Sequence, residues 1–235
     1  MVVSRGKGGR WSKNTNIHLR SDVIYSIYVR NHTPEGTFRA LENDLDRICD
    51  LGADIIWFLP IHPIGIEGKK GSLGCPYANR DYRTVNPEYG TMEDFKEVLN
   101  TAHSMGIRIL MDMVLNHTSD EHAWFQRALA GEEKYQNYYI IRPGKKNGKV
   151  PNNWGNFFAD CPWAPFGDTG KYYLHLFSKK QPDLNWHNPE VLEEIKEIMR
   201  FWLDKGVVGF RCDVINVIYK NTLADAKKRL ILTGQ

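Results

Sequence analysis

From residue 22 onward, apolar positions along the chain follow two alternating periods. Residues 23–29 are β-branched or aromatic at almost every position and predict a buried strand. Residues 38–51 carry Leu41, Leu45 and Ile48 at helical spacing, and Gly52 stops the pattern. Residues 53–59 predict a second strand ended by Pro60, followed by a long glycine-rich loop over 61–90. Thr91 and Asp94 form a capping-box pattern with Asp in place of Glu, opening a helix through Phe95, Val98, Leu99 and Ala102 to Met105. Gly106 ends that helix, and residues 107–115 predict a third strand.

The rhythm breaks over 118–187, a stretch dense in Gly, Pro, Asn and aromatic residues and too long for a connecting loop. It predicts an inserted subdomain. Asn188-Pro189 then starts a helix with Pro at its first position and Val191, Leu192, Ile195, Ile198 and Met199 on one face. Gly206 punctuates, residues 207–214 predict a fourth strand, and residues 222–230 predict a fourth helix. Strands alternating with helices imply a parallel sheet with helices on its outer face. Eight such units close a (β/α)8 TIM barrel of about 250 residues. The fold class is therefore α/β, with the first four β/α units of a barrel and an insert after strand three. Residues 1–21 precede the first unit, 22–117 hold strands one to three, 118–187 the insert, and 188–235 the barrel's continuation.

Charge changes the picture little. The net charge is +3, but Arg5, Lys7, Arg10 and Lys13 stand in an opening segment without acids, and removing these four leaves −1. That segment is expected to be a mobile basic tail, and a body near neutrality argues against a nucleic-acid groove. No apolar run follows it, so no secretory leader is expected, and no stretch is long enough to span a membrane. Cys49, Cys75, Cys161 and Cys212 form no C-x-x-C pair, which leaves metal and redox motifs unsupported. Free thiols point to a reducing compartment, and a cytoplasmic protein is expected.

Barrels of this kind keep their chemistry at the C-terminal ends of strands. With period-two alternation, Leu110, Asp112, Val114 and Asn116 share one face of strand three, and the apolar Ile109, Met111, Met113 and Leu115 share the other. The first set carries a carboxylate and an amide into the barrel, with His117 at the rim. On strand four, Arg211 and Asp213 point the same way and Cys212 towards the helices. A guanidinium beside a carboxylate keeps it ionised, as a nucleophile requires. Taken alone, either motif is more often structural than catalytic, Arg211 with Asp213 as a strand-capping ion pair and His117 as a satisfied surface or core histidine.

Four segments together carry a resemblance. They are Asp112-Met-Val-Leu-Asn116-His117, Gly209-Phe-Arg211-Cys-Asp213, Tyr77-Ala-Asn-Arg-Asp81-Tyr82 with Asn86-Pro-Glu-Tyr-Gly-Thr91, and Gln181-Pro-Asp-Leu-Asn185. Their order resembles that of alpha-amylase-type glycoside hydrolases (family 13). The resemblance implies a retaining hydrolase of α-glucosidic bonds in starch, glycogen or maltooligosaccharides. Carried over residue by residue, it makes Asp213 the nucleophile and Arg211 the group that orients it. It gives Tyr77 and His117 contacts with the sugar, and Asp112, Asn116 and Asp81 supporting roles. Asn116 matches a calcium ligand of some members. One amide falls short of a hard-cation site, so no metal or other cofactor is expected. The family's acid, a Glu after strand five, has no counterpart in the 235 residues. The chain is accordingly expected to act as an inactive N-terminal fragment with long apolar edges on strands one and four. The motif over 181–185 resembles that of α-1,6-cutting members. Exo-acting members tend to carry an Asp just before the tyrosine, whereas Pro76 stands there. The linkage stays open. The competing reading is a non-catalytic amylase-like or saccharide-binding protein.

Overall fold

The computed structural model describes residues 17–226. Ile17–Arg20 form a turn of 3-10 helix, so the expected basic tail is partly ordered, and residues 1–16 lie outside the described residues. The chain continues through β1 (Ile24–Ile27), α1 (Val29–His32), α2 (Phe38–Glu42), α3 (Leu45–Asp50), β2 (Ile55–Phe58), α4 (Met92–Ser104) and β3 (Arg108–Val114). The insert holds α5 (Ala123–Leu129), α6 (Glu133–Gln136), β4 (Ile141–Pro143), β5 (Trp163–Pro165) and β6 (Lys171–Leu174). Then come α7 (Pro189–Leu203) and β7 (Gly209–Asp213).

The strands β1-β2-β3-β7 form one sheet in that order, and every pairing is parallel. This is the partial barrel the alternating pattern predicts. The outward faces of β2 and β3 bury Ile56, Phe58, Ile109, Met111 and Met113 against Phe38, Leu41, Leu45, Phe95, Ile198 and Trp202 of the helices. Cys212 packs against the same layer. Both halves of the Thr91–Asp94 capping box are made. The Asp94 amide donates to Thr91 Oγ1 at 3.1 Å, and the Thr91 amide donates to Asp94 Oδ2 at 2.7 Å. Asn188 caps α7, with Pro189 leading it.

Three expectations need correction. The first strand stops at Ile27, because Val29 already opens α1. The helix expected over 38–51 is two helices, broken at Asn43–Asp44, where Asp44 turns its carboxylate to Arg47 and His32. The fourth helix does not form over 222–226, and 227–230 lie outside the described residues. That segment instead runs along the insert. Asn152 Nδ2 donates to the Leu223 carbonyl at 3.1 Å, Trp154 Nε1 donates to the Ala224 carbonyl at 3.0 Å, and Lys145 pairs with Asp225 at 2.7 Å.

The insert is a separate three-stranded antiparallel sheet, β4-β6-β5, with a core of Phe125, Tyr138, Tyr139, Phe166 and Leu184. A single bridge, His117 to Asp183, lays it over the end of β3, and a second, Tyr139 to Leu184, closes within the insert. Among the described residues the edges of the main sheet are β1 and β7, with Ile24 exposed on β1 and Val23 and Val208 exposed just before the two strands. No helix among the described residues is long and apolar enough to cross a membrane.

Candidate active site

Parallel pairing sets Asp112 of β3 beside Arg211 of β7, and Val114 beside Asp213. The inward positions thus bring two carboxylates to one guanidinium. Arg211 Nη1 donates to Asp213 Oδ1 at 2.5 Å and to Asp112 Oδ2 at 3.0 Å. The Arg211 guanidinium also lies 5.1 Å from the ring centre of Trp57 on β2, a cation–π distance. The Asp112 side chain has no exposed surface. Burial pushes its pKa up to about 7, and the Asp213 charge adds to this, while Arg211 pulls the other way. Asp213 retains some exposure, 12% of its side chain, so it is the more accessible carboxylate of the two.

Tyr77 reaches the cluster from the long loop after β2, its hydroxyl donating to Asp112 Oδ2 at 3.4 Å. His117 is brought to the same wall, though not at the rim: its residue exposure is 1%. The bridge to Asp183 tucks it under the insert, and the Phe177 ring lies 5.1 Å away. With its proton assigned to Nε2, the ring donates to the Tyr77 carbonyl at 3.1 Å and accepts from Asn116 Nδ2 at 3.2 Å. Burial holds its pKa below the ordinary value. Asp81 is not brought to this cluster. Its carboxylate accepts from the Arg83 amide and the Thr84 hydroxyl at 2.8 and 3.1 Å, which shapes its own loop.

Asn116 serves a neighbouring site that sequence reasoning missed. Its Oδ1 accepts from the Lys220 ammonium at 2.7 Å, and its Nδ2 donates to Asp183 Oδ1 at 3.0 Å. Lys220 Nζ is also 2.8 Å from Asp183 Oδ2, and both side chains are buried. The oxygens a hard cation would draw on therefore face an ammonium. Among the described residues no group of three or more His, Cys, Asp or Glu converges as a metal site. Trp57 was likewise not singled out, and Gln181, named only as the head of its motif, lies with its Nε2 3.0 Å from His117 Nε2. Alternation from Ile55 could have flagged Trp57 as inward-facing. Nothing local marks Lys220.

Residues 8–230 match the alpha-amylase family, described as "Alpha amylase, catalytic domain". The chain belongs to the alpha-amylase family. It is 48% identical over 204 residues to an oligo-1,6-glucosidase of Parageobacillus thermoglucosidasius, covering 84% of this chain and 35% of that protein. It is 39% identical over 205 residues to a trehalose-6-phosphate hydrolase of Bacillus subtilis, covering 85% and 36%. Among solved structures, the trehalose-6-phosphate hydrolase of Bacillus licheniformis aligns with a TM-score of 0.80 at 41% identity, over 88% of this chain and 38% of that one. A MutB mutant in complex with the substrate sucrose aligns at 0.81 and 38%, over 91% and 38%. The chain thus spans a little over a third of the length of these alpha-amylase-family relatives. The matched part is the partial barrel with its insert.

Proposed function

We propose that this part of an alpha-amylase-family enzyme supplies the nucleophile for retaining cleavage of α-glucosidic bonds in starch, glycogen or maltooligosaccharides. The observation that carries the proposal is the Arg211–Asp213 pair at the C-terminal end of β7, at 2.5 Å, with Asp213 the less buried of the two carboxylates Arg211 serves. Asp213 attacks the anomeric carbon, and Arg211 keeps the carboxylate charged and aimed. Tyr77 and His117 border the sugar, while Asp112 and Asn116 hold Arg211 and His117 from behind. Asp81 supports the loop that carries Tyr77.

The retaining scheme also requires a carboxylic acid about 5–5.5 Å from the nucleophile to protonate the leaving oxygen. Asp112 shares Arg211 with Asp213, but its side chain is fully buried and does not reach a leaving group. The described glutamates of α7 are bound up elsewhere. Glu193 and Glu197 pair with Lys196 and Arg200, Glu190 with Lys134, and Glu194 with Arg83. Formation of the glycosyl-enzyme bond is therefore the step given to this chain, and none of these carboxylates serves as the acid. All four cysteines are free thiols, which supports a cytoplasmic setting.

An α-glucosyl fluoride separates the two halves of the chemistry, because fluoride leaves without being protonated. Asp213 Oδ forms the bond to C1 as the C1–F bond breaks, and fluoride departs with the electron pair. The expected result is a hexosyl mass increment on the peptide containing Asp213, absent from Asp213→Asn. Labelling that survives the substitution, or no labelling of the unsubstituted chain, overturns the assignment.

A further inference from the structure

The loop that carries Tyr77 leaves β2 and returns along itself. Ile64 and Asn79 form a bridge at its neck, and the Gly65 amide donates to the Ala78 carbonyl at 3.0 Å. Its outgoing limb is then held from outside. The amides of Ile66 and Glu67 both donate to Glu121 Oε1, each at 2.6 Å. Bonds from N–H donors to a carboxylate are charge-assisted and stronger than neutral ones.

Glu121 belongs to the insert and stands just before α5. Its own placement is fixed. Its amide donates to Ser119 Oγ at 3.1 Å, the Ser119 amide donates to the Asn79 carbonyl at 2.7 Å, and Asp120 pairs with Lys180 at 2.6 Å. Gly65 lets the two segments meet, because a Cβ there would sit 2.3 Å from Ser119 Oγ and 3.3 Å from Glu121 Oε1. Arg80 Nη1 stands off at 3.7 Å from Glu121 Oε2, too long for a hydrogen bond. The carboxylate thus serves the two loop amides ahead of the arginine.

The returning limb carries Tyr77, directly before Ala78. Tyr77 meets the active-site wall twice: its hydroxyl donates to Asp112 Oδ2 at 3.4 Å, and its carbonyl accepts from His117 at 3.1 Å. The first contact is long and does not by itself fix a side chain. The loop also holds Gly65, Gly68, Gly71 and Gly74, which raise the entropy lost on ordering it. An outside tie offsets that loss, and Glu121 supplies one next to the residue that pairs with Ala78. We propose that Glu121 is a positioning residue for Tyr77, a latch from the insert that holds the loop after β2 against Asp112 and His117. Only the consequence for the sugar rests on the proposed function; the latch rests on the hydrogen bonds.

The test uses the full chain. In the parent, the Ile66 and Glu67 amides are protected from hydrogen exchange. Glu121→Ala speeds their exchange and raises the glucosyl-fluoride concentration for half-maximal labelling of Asp213, each about tenfold, the weight of one charge-assisted hydrogen bond. The ring signals of isotope-labelled Tyr77 shift with it, while the maximal labelling rate holds. Glu121→Gln recovers most of each loss, because its amide oxygen still accepts both bonds. The latch is overturned by fast exchange at both amides in the parent, which needs no variant to fold. It is also overturned by Tyr77 ring signals that stay in place in Glu121→Ala, whatever happens to Tm. If the parent takes no label, the proposed function falls, and the exchange and ring signals still decide the latch. Ring signals that shift at a constant half-maximal concentration uphold the latch and strike the sugar contact given to Tyr77.

Discussion

Arg211 Nη1 sits 2.5 Å from Asp213 Oδ1, two residues along one strand, and the same nitrogen spans the sheet to Asp112. One planar cation thus serves a fully buried carboxylate and a slightly more accessible one. Arg211→Gln should lower the rate of glucosyl-fluoride labelling by about a hundredfold, the usual loss on removing a preorganised electrostatic contact. Arg211→Lys should recover only part of it, because an ammonium lacks the planar face that stacks on Trp57. Parent-like labelling in Arg211→Gln would show that Asp213 does not depend on its neighbour.

Asp112 makes a pH prediction with a definite sign. Its pKa in the fold is about 7, raised chiefly by burial, against an ordinary value near 3.9. The fold retains a proton that the unfolded chain has lost, so this contribution is complete below about pH 4 and fades as pH rises towards 7. Asp112→Asn does not ionise. Its stability relative to the parent should therefore rise between pH 5 and pH 8, by at most about 3 kcal/mol. Denaturant unfolding of both proteins at the two pH values measures the gap, and a constant gap would mean that Asp112 is ionised throughout.

Two buried imidazoles act in the opposite direction. Burial holds both His62 and His122 at a pKa of about 4. Unfolding releases them to about 6.5, so the unfolded chain binds protons that the fold refuses. Stability is complete above about pH 6.5 and declines as pH falls towards 4, by on the order of 3 kcal/mol per ring at most. His122 also caps α5, its Nδ1 accepting from the Trp124 amide at 3.1 Å. Asn caps equally well and does not titrate. His122→Asn should flatten the fall in Tm between pH 7 and pH 4.5, and an unchanged slope would clear His122 of the effect.

The active-site wall was legible in the sequence to the extent that it depends on local periodicity. Alternation alone places Asp112 and Asn116 inward on β3, and Arg211 and Asp213 inward on β7, and parallel pairing then brings them together. The break at Asn43–Asp44 was hidden because Leu41, Leu45 and Ile48 hold their helical spacing straight through it. His117 was misplaced because its burial is decided by Asp183 and Phe177, far along the chain, rather than by its own strand. The helix expected over 222–230 had ordinary helical propensity, but residues 223–226 spend their backbone groups on Asn152, Asn153 and Trp154 of the insert. Long-range contacts of this kind leave no local trace.

Lys220 gives the strongest stability prediction, because it is a buried cation with buried partners 104 and 37 residues away. Its ammonium joins the segment after β7 to Asn116, just past the end of β3, and to Asp183 of the insert. Lys220→Met removes the charge and preserves the aliphatic stem, leaving the fully buried Asp183 carboxylate without its ion pair. Breaking a buried pair from one side costs about 3–5 kcal/mol. Asp183 Oδ1 still accepts from Asn116 and from the Leu176 amide at 3.1 Å, so the uncompensated charge is confined to Oδ2. Replacing that carboxylate with an amide should then relieve the loss: Lys220→Met with Asp183→Asn should be more stable than Lys220→Met alone. Denaturant unfolding of the two single variants, the double variant and the parent closes a double-mutant cycle. A coupling below about 0.5 kcal/mol would mean that Lys220 stabilises the fold through its stem rather than through its charge.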